Sequence, residues 1–270
     1  MESQLEGLIL ERKGCPIHYW VGGPEGRPLV VLTHGACVDH RSFNPLFPVL
    51  VKDYRVLNWD VRGHGLSQPV GEPFTTPLAV EDLLAIIDTL GYQKAVFIGH
   101  SNGTYISQEV AYRHPERVQA MVLADGTCIT WPRNAFEKWI IKASSGIMNF
   151  LPYETLKTMS LPMFSARKDV QDYTYKAFSM LTKPQFIALW NGVISCLHED
   201  PGYIITQPVM LVLGENDRTG DMKKIYPLWA KQIPNCQFEI IPNASHFSIL
   251  DNPDYFNQLV LSFLAKWAPV

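Results

Sequence analysis

Charge is scarce in this chain. Lys, Arg, Asp and Glu make up 18% of its 270 residues, and they nearly balance at 23 basic against 26 acidic. Basic runs such as Arg12-Lys13 and Lys223-Lys224 are short and read as solvated surface. No basic stripe is present, so no nucleic-acid partner is expected. Cysteine is also sparse. The five residues, Cys15, Cys37, Cys128, Cys196 and Cys236, are odd in number and far apart. There is no C-x-x-C, no H-x-H and no H-E-x-x-H, so no metal site is expected. Five reduced, mostly buried thiols fit a reducing cytoplasm. Long apolar runs are missing too. Stretches such as Pro208 to Leu213 fall far short of the roughly 20 residues that span a bilayer, so no membrane partner is expected. The opening Met1-Glu2-Ser3-Gln4-Leu5-Glu6 has no basic start and no apolar run, and does not read as a signal peptide. Repeats and low-complexity segments are absent.

What is present is an apolar content of 47%, enough to bury a sizeable core, as two domains or as one with an insertion. Strand-like and helix-like segments alternate, which predicts a mainly parallel sheet with helices on both faces. Gly7 to Arg12 and Ile17 to Val21 read as short strands. Leu29 to Thr33 is a continuous apolar run, as for a strand buried on both faces. Ser42 to Val51 reads as a helix and Arg55 to Trp59 as a strand. Thr76 to Leu90 reads as a helix capped by Thr76, with Pro77 in its first turn and Gly91 as its stop. Ala95 to Ile98 is a strand, Gly103 to His114 a helix and Val118 to Ala124 a strand. Between about Thr127 and Thr206 the alternation stops. That stretch is rich in Trp, Phe, Met and Lys, with helical periodicity over Phe136 to Ile147 and Pro184 to Ile194. It is too long and too apolar for a plain loop. We read residues 127–206 as a helical lid inserted into a core formed by 1–126 and 207–270. Alternation then resumes with Val209 to Leu213, Lys223 to Gln232, Phe238 to Ile241 and Pro253 to Trp267.

Four short strings carry chemistry. Gly99-His100-Ser101-Asn102-Gly103 matches G-x-S-x-G between a buried strand and a helix, where a sharp turn exposes the serine hydroxyl. Thr33-His34-Gly35-Ala36-Cys37 follows an earlier buried strand. Its Ala36 amide, with that of Asn102, can stabilise the oxyanion of a tetrahedral intermediate. Leu213-Gly214-Glu215-Asn216-Asp217 and Asn243-Ala244-Ser245-His246-Phe247 follow the two last strands. They supply an acid and a base at the sheet edge that holds Ser101. In this order Ser101 is the nucleophile, His246 its base and Asp217 the residue that orients the base.

With these strings the chain resembles the α/β-hydrolase fold family, in its serine-nucleophile, esterase-like branch with a helical lid. Asp60-Val61-Arg62-Gly63-His64-Gly65-Leu66-Ser67 is similar to a D-x-R-G-x-G-x-S turn of that family, where its role is mainly structural. The resemblance implies a mostly parallel eight-stranded sheet and a catalytic triad, but not a substrate. The expected activity is cofactor-free hydrolysis of a small or medium acyl substrate, an ester or lactone. Thioester, C–C and amide cleavage use the same triad and stay open. In the family's G-x-x-D pattern the fourth position is Asp217, not Glu215. Asp125, after the sixth main strand, is a rival acid, since some members hold theirs there. Haloalkane dehalogenases and epoxide hydrolases of this fold place aspartate where Ser101 stands. Hydroxynitrile lyases need lysine where Phe247 follows the histidine, and perhydrolases often carry Met where Asn102 stands. A non-enzymatic binder of this fold would usually have lost part of the triad. Cys37, His100, Trp131 and Phe247 are candidate pocket residues, and His34 a brace for its loop. Among the lid residues Trp131, Trp139, Phe150, Met159, Met163, Phe164, Phe178, Met180, Phe186 and Trp190, most are expected to pack the lid onto the core and a few to meet substrate. Monomer and homodimer are both compatible with the sequence.

Overall fold

The computed structural model describes residues 6–270; the opening segment read above as no signal peptide lies almost wholly outside them. The chain begins with a hairpin, β1 (Glu6–Arg12) and β2 (Cys15–Gly22), and then alternates. β3 (Leu29–Thr33) leads to α1 (Phe47–Leu50) and β4 (Arg55–Trp59), then α2 (Thr76–Thr89) and β5 (Ala95–His100). α3 (Asn102–Arg113) and β6 (Val118–Ala124) follow. Four helices come next: α4 (Ala135–Phe150), α5 (Tyr153–Phe164), α6 (Lys168–Phe178) and α7 (Lys183–Ile194). The sheet then resumes with β7 (Val209–Gly214), α8 (Met222–Ala230), β8 (Cys236–Ile241), α9 (Ser248–Asp251) and α10 (Pro253–Trp267).

The eight strands form one sheet in the order β1-β2-β4-β3-β5-β6-β7-β8. β2 is antiparallel to both of its neighbours and every pair from β4 to β8 is parallel. β3, β5 and β7 are buried at every position, as their unbroken apolar runs require. Apolar side chains on the two sheet faces form two separate clusters. One, around Phe97, Ile106, Leu123 and Tyr226, extends into the inserted helices; the other, around Phe43, Phe256 and Phe263, packs under α10. All five thiols are free, and four are buried. No helix among the described residues is long and apolar enough to cross a membrane.

Two expectations are corrected. The helix read over Ser42 to Val51 is broken into a 3-10 turn, His40–Phe43, and the single turn of α1. Pro45 and Pro48 lack amide protons, so a helix through both would lose two main-chain bonds. The cap of α2 is Thr75, not Thr76: its hydroxyl accepts from the Leu78 amide at 3.3 Å, while Thr76 is buried as the first helical residue.

The turn after β4 is structural, as the resemblance implied. Asp60 accepts from the amides of His40 and Leu66, both at 2.8 Å, and faces the His40 ring. Gly65 sits at φ +48 with its Cα pressed on the Asp60 carboxylate, so any side chain there would strike it. Arg62 is fully buried and grips Asp82 of α2 through Nε at 2.8 Å and a second nitrogen at 2.9 Å. The same guanidinium donates to the Val70 and Arg12 carbonyls. Arg12 Nε lies farther from Asp82, at 3.4 Å, so removing Arg62 leaves the buried carboxylate poorly compensated. Arg62→Met is therefore expected to cost about 3–5 kcal/mol in urea denaturation. Arg62→Met with Asp82→Leu should recover a large part of it. A loss below about 1 kcal/mol in the single variant would mean that the pair does not hold the turn.

Candidate active site

The turn between β5 and α3 is built by close approach. A Cβ on Gly103 would lie 1.9 Å from the Thr33 carbonyl oxygen, and one on Gly99 would lie 2.4 Å from Gly103. Only glycine lets the helix start this close to β3 and β5. Ser101 takes up the resulting bend at φ 50, a region that a non-glycine residue occupies only when its surroundings impose it. Its amide donates to the Ala124 carbonyl at 2.8 Å, and its carbonyl accepts from the Thr104 amide at 2.9 Å and hydroxyl at 2.7 Å. The backbone is thus tied on both sides and the side chain projects from a rigid elbow.

Asp217 and His246 reach the same place from the ends of β7 and β8. The two loops are pressed together: a Cβ on Gly214 would lie 2.0 Å from the Ser245 carbonyl oxygen, and the Asn216 amide donates to the Ala244 carbonyl at 2.7 Å. His246 Nε2 lies 3.0 Å from Ser101 Oγ, and His246 Nδ1 lies 3.0 Å from Asp217 Oδ2. Both side chains are nearly out of solvent, with Asp217 2% and His246 8% exposed. Burial works against charge on each, but their mutual hydrogen bond and attraction win. The Asp217 carboxyl is held below its ordinary value and the His246 imidazole above its own.

The rival acids are placed elsewhere. Glu215 is exposed and accepts from the Asn243 amide at 2.8 Å. Asp125 is buried at the end of β6. It accepts from the Gly214 amide at 2.8 Å and from the Ser248 amide at 3.2 Å, and also pairs with the Ser248 hydroxyl. It thus staples β6 to the loops that carry Asp217 and His246, without bonding the imidazole. Complete burial, with the charge of Asp217 nearby, pushes it up to about 8.

The loop after β3 lies over the elbow. A Cβ on Gly35 would sit 2.9 Å from His100 Nδ1 and 3.3 Å from Ser101 Cβ. Among the described residues, neither the Ala36 amide nor that of Asn102, the first residue of α3, donates to a protein acceptor. His34 braces this loop: Nδ1 donates to the Gly35 carbonyl at 2.7 Å and Nε2 accepts from the Val61 amide at 2.9 Å. His100 donates from Nε2 to the His246 carbonyl at 2.8 Å and stacks on Phe247, with ring centroids 4.6 Å apart. Burial drives it down to about 3, so it stays neutral. Cys37 is buried beside the loop, where desolvation holds its thiol protonated.

The inserted helices contribute unequally. The Phe164 ring stands 5.5 Å from that of His246 and opens a chain of aromatic contacts through Phe178 to Phe186. Trp131 is not in that group; it lines a separate cleft with Pro132, Asn134, Asp221 and Ile225. The expectation that most of the insert's large side chains pack inward is corrected. Trp139 and Phe150 on α4, Met159 and Met163 on α5 and Met180 after α6 are exposed, Phe150 by 90%, and α4 contributes no buried residue at all. Thr219 carries no motif. Yet its hydroxyl lies 2.7 Å from His246 Nδ1 and 2.8 Å from Asp217 Oδ1. No group of three or more metal-ligating side chains occurs among the described residues.

A family model for the alpha/beta hydrolase fold matches residues 28–151. Human epoxide hydrolase 4 is 27% identical over 95% of this chain and 78% of its own. The 3-oxoadipate enol-lactonase 1 of Acinetobacter baylyi is 25% identical, over 95% of this chain and 96% of its own. Among solved structures, the enol-lactonase of Burkholderia xenovorans LB400 superimposes with a TM-score of 0.82 at 23% identity, covering 96% of this chain and all of that one. A thermophilic esterase of Thermogutta terrifontis gives 0.83 at 20% identity, over 98% and 99% of the two chains. The match and the superpositions show that the chain has the α/β-hydrolase fold.

These environments predict how Ser101 reacts with a fluorophosphonate. His246 accepts the serine proton only when neutral, so labelling falls as pH drops through its raised pKa, with a midpoint above the ordinary 6.5. Asp217→Asn removes the group that raises it. The midpoint should move down, and the limiting rate should drop by roughly 10²–10⁴. Asp125→Asn should stay within about threefold of the parent rate, since Asp125 only positions loops. The reverse ranking of the two variants would make Asp125 the acid. Stability carries a matching sign. The His246 contribution is present below pH 6.5 and lost as pH rises through its raised value; the Asp217 contribution is present above 3.8 and lost as pH falls through its lowered value.

Proposed function

We propose that the protein is a serine hydrolase that cleaves a carboxylic ester or lactone through an acyl-enzyme on Ser101. The observation that carries this reading is the continuous relay from Ser101 Oγ through the His246 ring to Asp217, with 3.0 Å at each step. His246 takes the serine proton as Oγ attacks the acyl carbon. The amides of Ala36 and Asn102 receive the oxyanion. His246 then passes the proton to the leaving oxygen, and a water that it activates releases the acid. Asp217 fixes the imidazole and stabilises its charged form. No cofactor is needed.

The acyl group is proposed to be small or medium and apolar. The wall of Phe164, Phe178 and Phe186 beside His246 suits it, and pockets of this kind are largely apolar. Residues 127–206 act as the lid that keeps bulk water from the intermediate. The enol-lactonase relative favours oxygen esters over thioester or C–C substrates. The epoxide hydrolase relatives do not transfer their named substrate. Attack by Ser101 on an epoxide carbon would leave an ether, which water does not displace; the acyl-enzyme is an ester that water hydrolyses. The complete relay also argues against a binding module. The free thiols support a reducing, cytoplasmic setting.

A panel of p-nitrophenyl acetate, butyrate and palmitate with γ- and δ-lactones tests the reading. We expect turnover of short esters or lactones, and a fall of at least about 10³-fold in Ser101→Ala. Turnover of amide or C–C substrates alone would overturn the substrate class. A wild-type chain that neither turns over any of them nor labels with a fluorophosphonate would overturn the enzyme reading.

A further inference from the structure

Thr219 stands two residues beyond Asp217, in the loop after β7. Its hydroxyl oxygen is closer to His246 Nδ1, at 2.7 Å, than Asp217 Oδ2 is, at 3.0 Å. The same hydroxyl lies 2.8 Å from Asp217 Oδ1, and the Thr219 amide donates to that oxygen at 2.7 Å. Proton counting then fixes the directions. A hydroxyl has one proton, and an ionised carboxylate can only accept. Asp217 is held below its ordinary pKa, so the Thr219 O–H donates to Oδ1. What Thr219 turns toward His246 is a lone pair. Nδ1 must carry a proton to face it, and that proton is shared between Thr219 Oγ1 and Asp217 Oδ2. The other tautomer would set lone pair against lone pair. Nε2 is therefore the unprotonated nitrogen, and it is the one facing Ser101 Oγ.

We infer that Thr219 is a positioning residue that selects the His246 tautomer and holds the ring in line with Ser101. This rests on the serine-hydrolase reading for its catalytic consequence, but not for its geometry. Both Thr219 donors fall on Oδ1, which turns the carboxylate so that Oδ2 is left for the imidazole. One residue thus orients the acid and the base together. Thr219 is half-buried, in a cleft with Leu213, Gly220 and Met222, and a side chain of the same shape fits there.

The test uses Thr219→Val, which keeps the shape and removes the hydroxyl, and Thr219→Ser, which keeps the hydroxyl. On the best ester of the panel, Thr219→Val should lower kcat about tenfold with KM unchanged, while Thr219→Ser stays within about threefold. Proton NMR gives a readout that does not need turnover. Without the hydroxyl the Nδ1 proton goes wholly to Asp217, which has also lost a donor. Both changes strengthen the remaining bond, so the low-field Nδ1–H resonance should move further downfield in Thr219→Val and not in Thr219→Ser. An unmoved resonance in Thr219→Val, or kcat within twofold of wild type, overturns the inference. A parallel loss of kcat in both variants does so too, since it would show a merely structural role. If wild type neither labels nor turns over, the hydrolase reading fails, while the resonance still decides whether Thr219 shares the Nδ1 proton.

Discussion

The site depends on one steric constraint, the approach of the α3 N-terminus to the edge of β3. Gly103 stands so near the Thr33 carbonyl that no side chain fits between them. Drawing the helix in this far forces Ser101 into the left-handed region and projects its hydroxyl. It also sets the first amide of α3 beside the loop that carries Ala36. One backbone contact therefore places the Ser101 hydroxyl and both candidate oxyanion donors. The strain at Ser101 persists because hydrogen bonds from neighbouring strand and helix over-determine the turn. The buried apolar strands make that frame stiff.

Asp217 and His246 are placed by a different device, a clamp between consecutive loops. Gly214 against Ser245 and Asn216 against Ala244 hold the β7 and β8 loops edge to edge. Asp125 closes the clamp from β6 by bonding one residue in each loop. Two carboxylates thus serve one imidazole in different ways. Asp217 is near enough to exchange a hydrogen bond with it, so its charge is favoured. Asp125 is deeper, bonds only loop groups, and its burial opposes ionisation. The environments split the pair: the Asp217 carboxyl is held below its ordinary value and that of Asp125 above.

Much of this was legible in the sequence, and the legible part shares a cause. Ser101 and Asp217 follow the fully buried strands β5 and β7, and such strands announce themselves as unbroken apolar runs; His246 follows β8, which is only half-buried and carries Gln237 and Glu239. Glycines at 99, 103 and 214 mark where backbones touch. Each of these signals is local. What was not legible depends on contacts between distant segments. The break at Pro45 and Pro48 and the cap at Thr75 follow from local rules. Thr219 was not within reach, because nothing in a threonine two positions past an aspartate says that its hydroxyl meets a histidine 27 residues later. The outward-facing apolar stripe of α4 was also hidden, since periodicity reveals a face but not what lies opposite it.

The inserted helices are more than a cover, because they bond to both loops that flank Ser101. The Tyr173 hydroxyl on α6 donates to the Asp39 carbonyl at 3.1 Å, three residues beyond Ala36. The Phe164 carbonyl at the end of α5 accepts from the Phe247 amide at 2.9 Å, next to His246. Ser165 bonds Asp251, which in turn accepts from the Ser245 amide at 2.7 Å. Arg167 adds two donations to the carbonyls of Leu250 and Asp251. The turn joining α5 to α6 is thus stitched to the histidine loop, whereas α4 has no buried residue to hold it. α4 is held instead by polar contacts to α7, among them Trp190 Nε1 to Ser144 Oγ at 2.9 Å and Lys183 Nζ to the Asn149 carbonyl at 2.6 Å. Any opening of this insert has an unequal cost along its length. Moving α4 breaks its bonds to α7, whereas moving the α5–α6 turn pulls on the loop that carries His246.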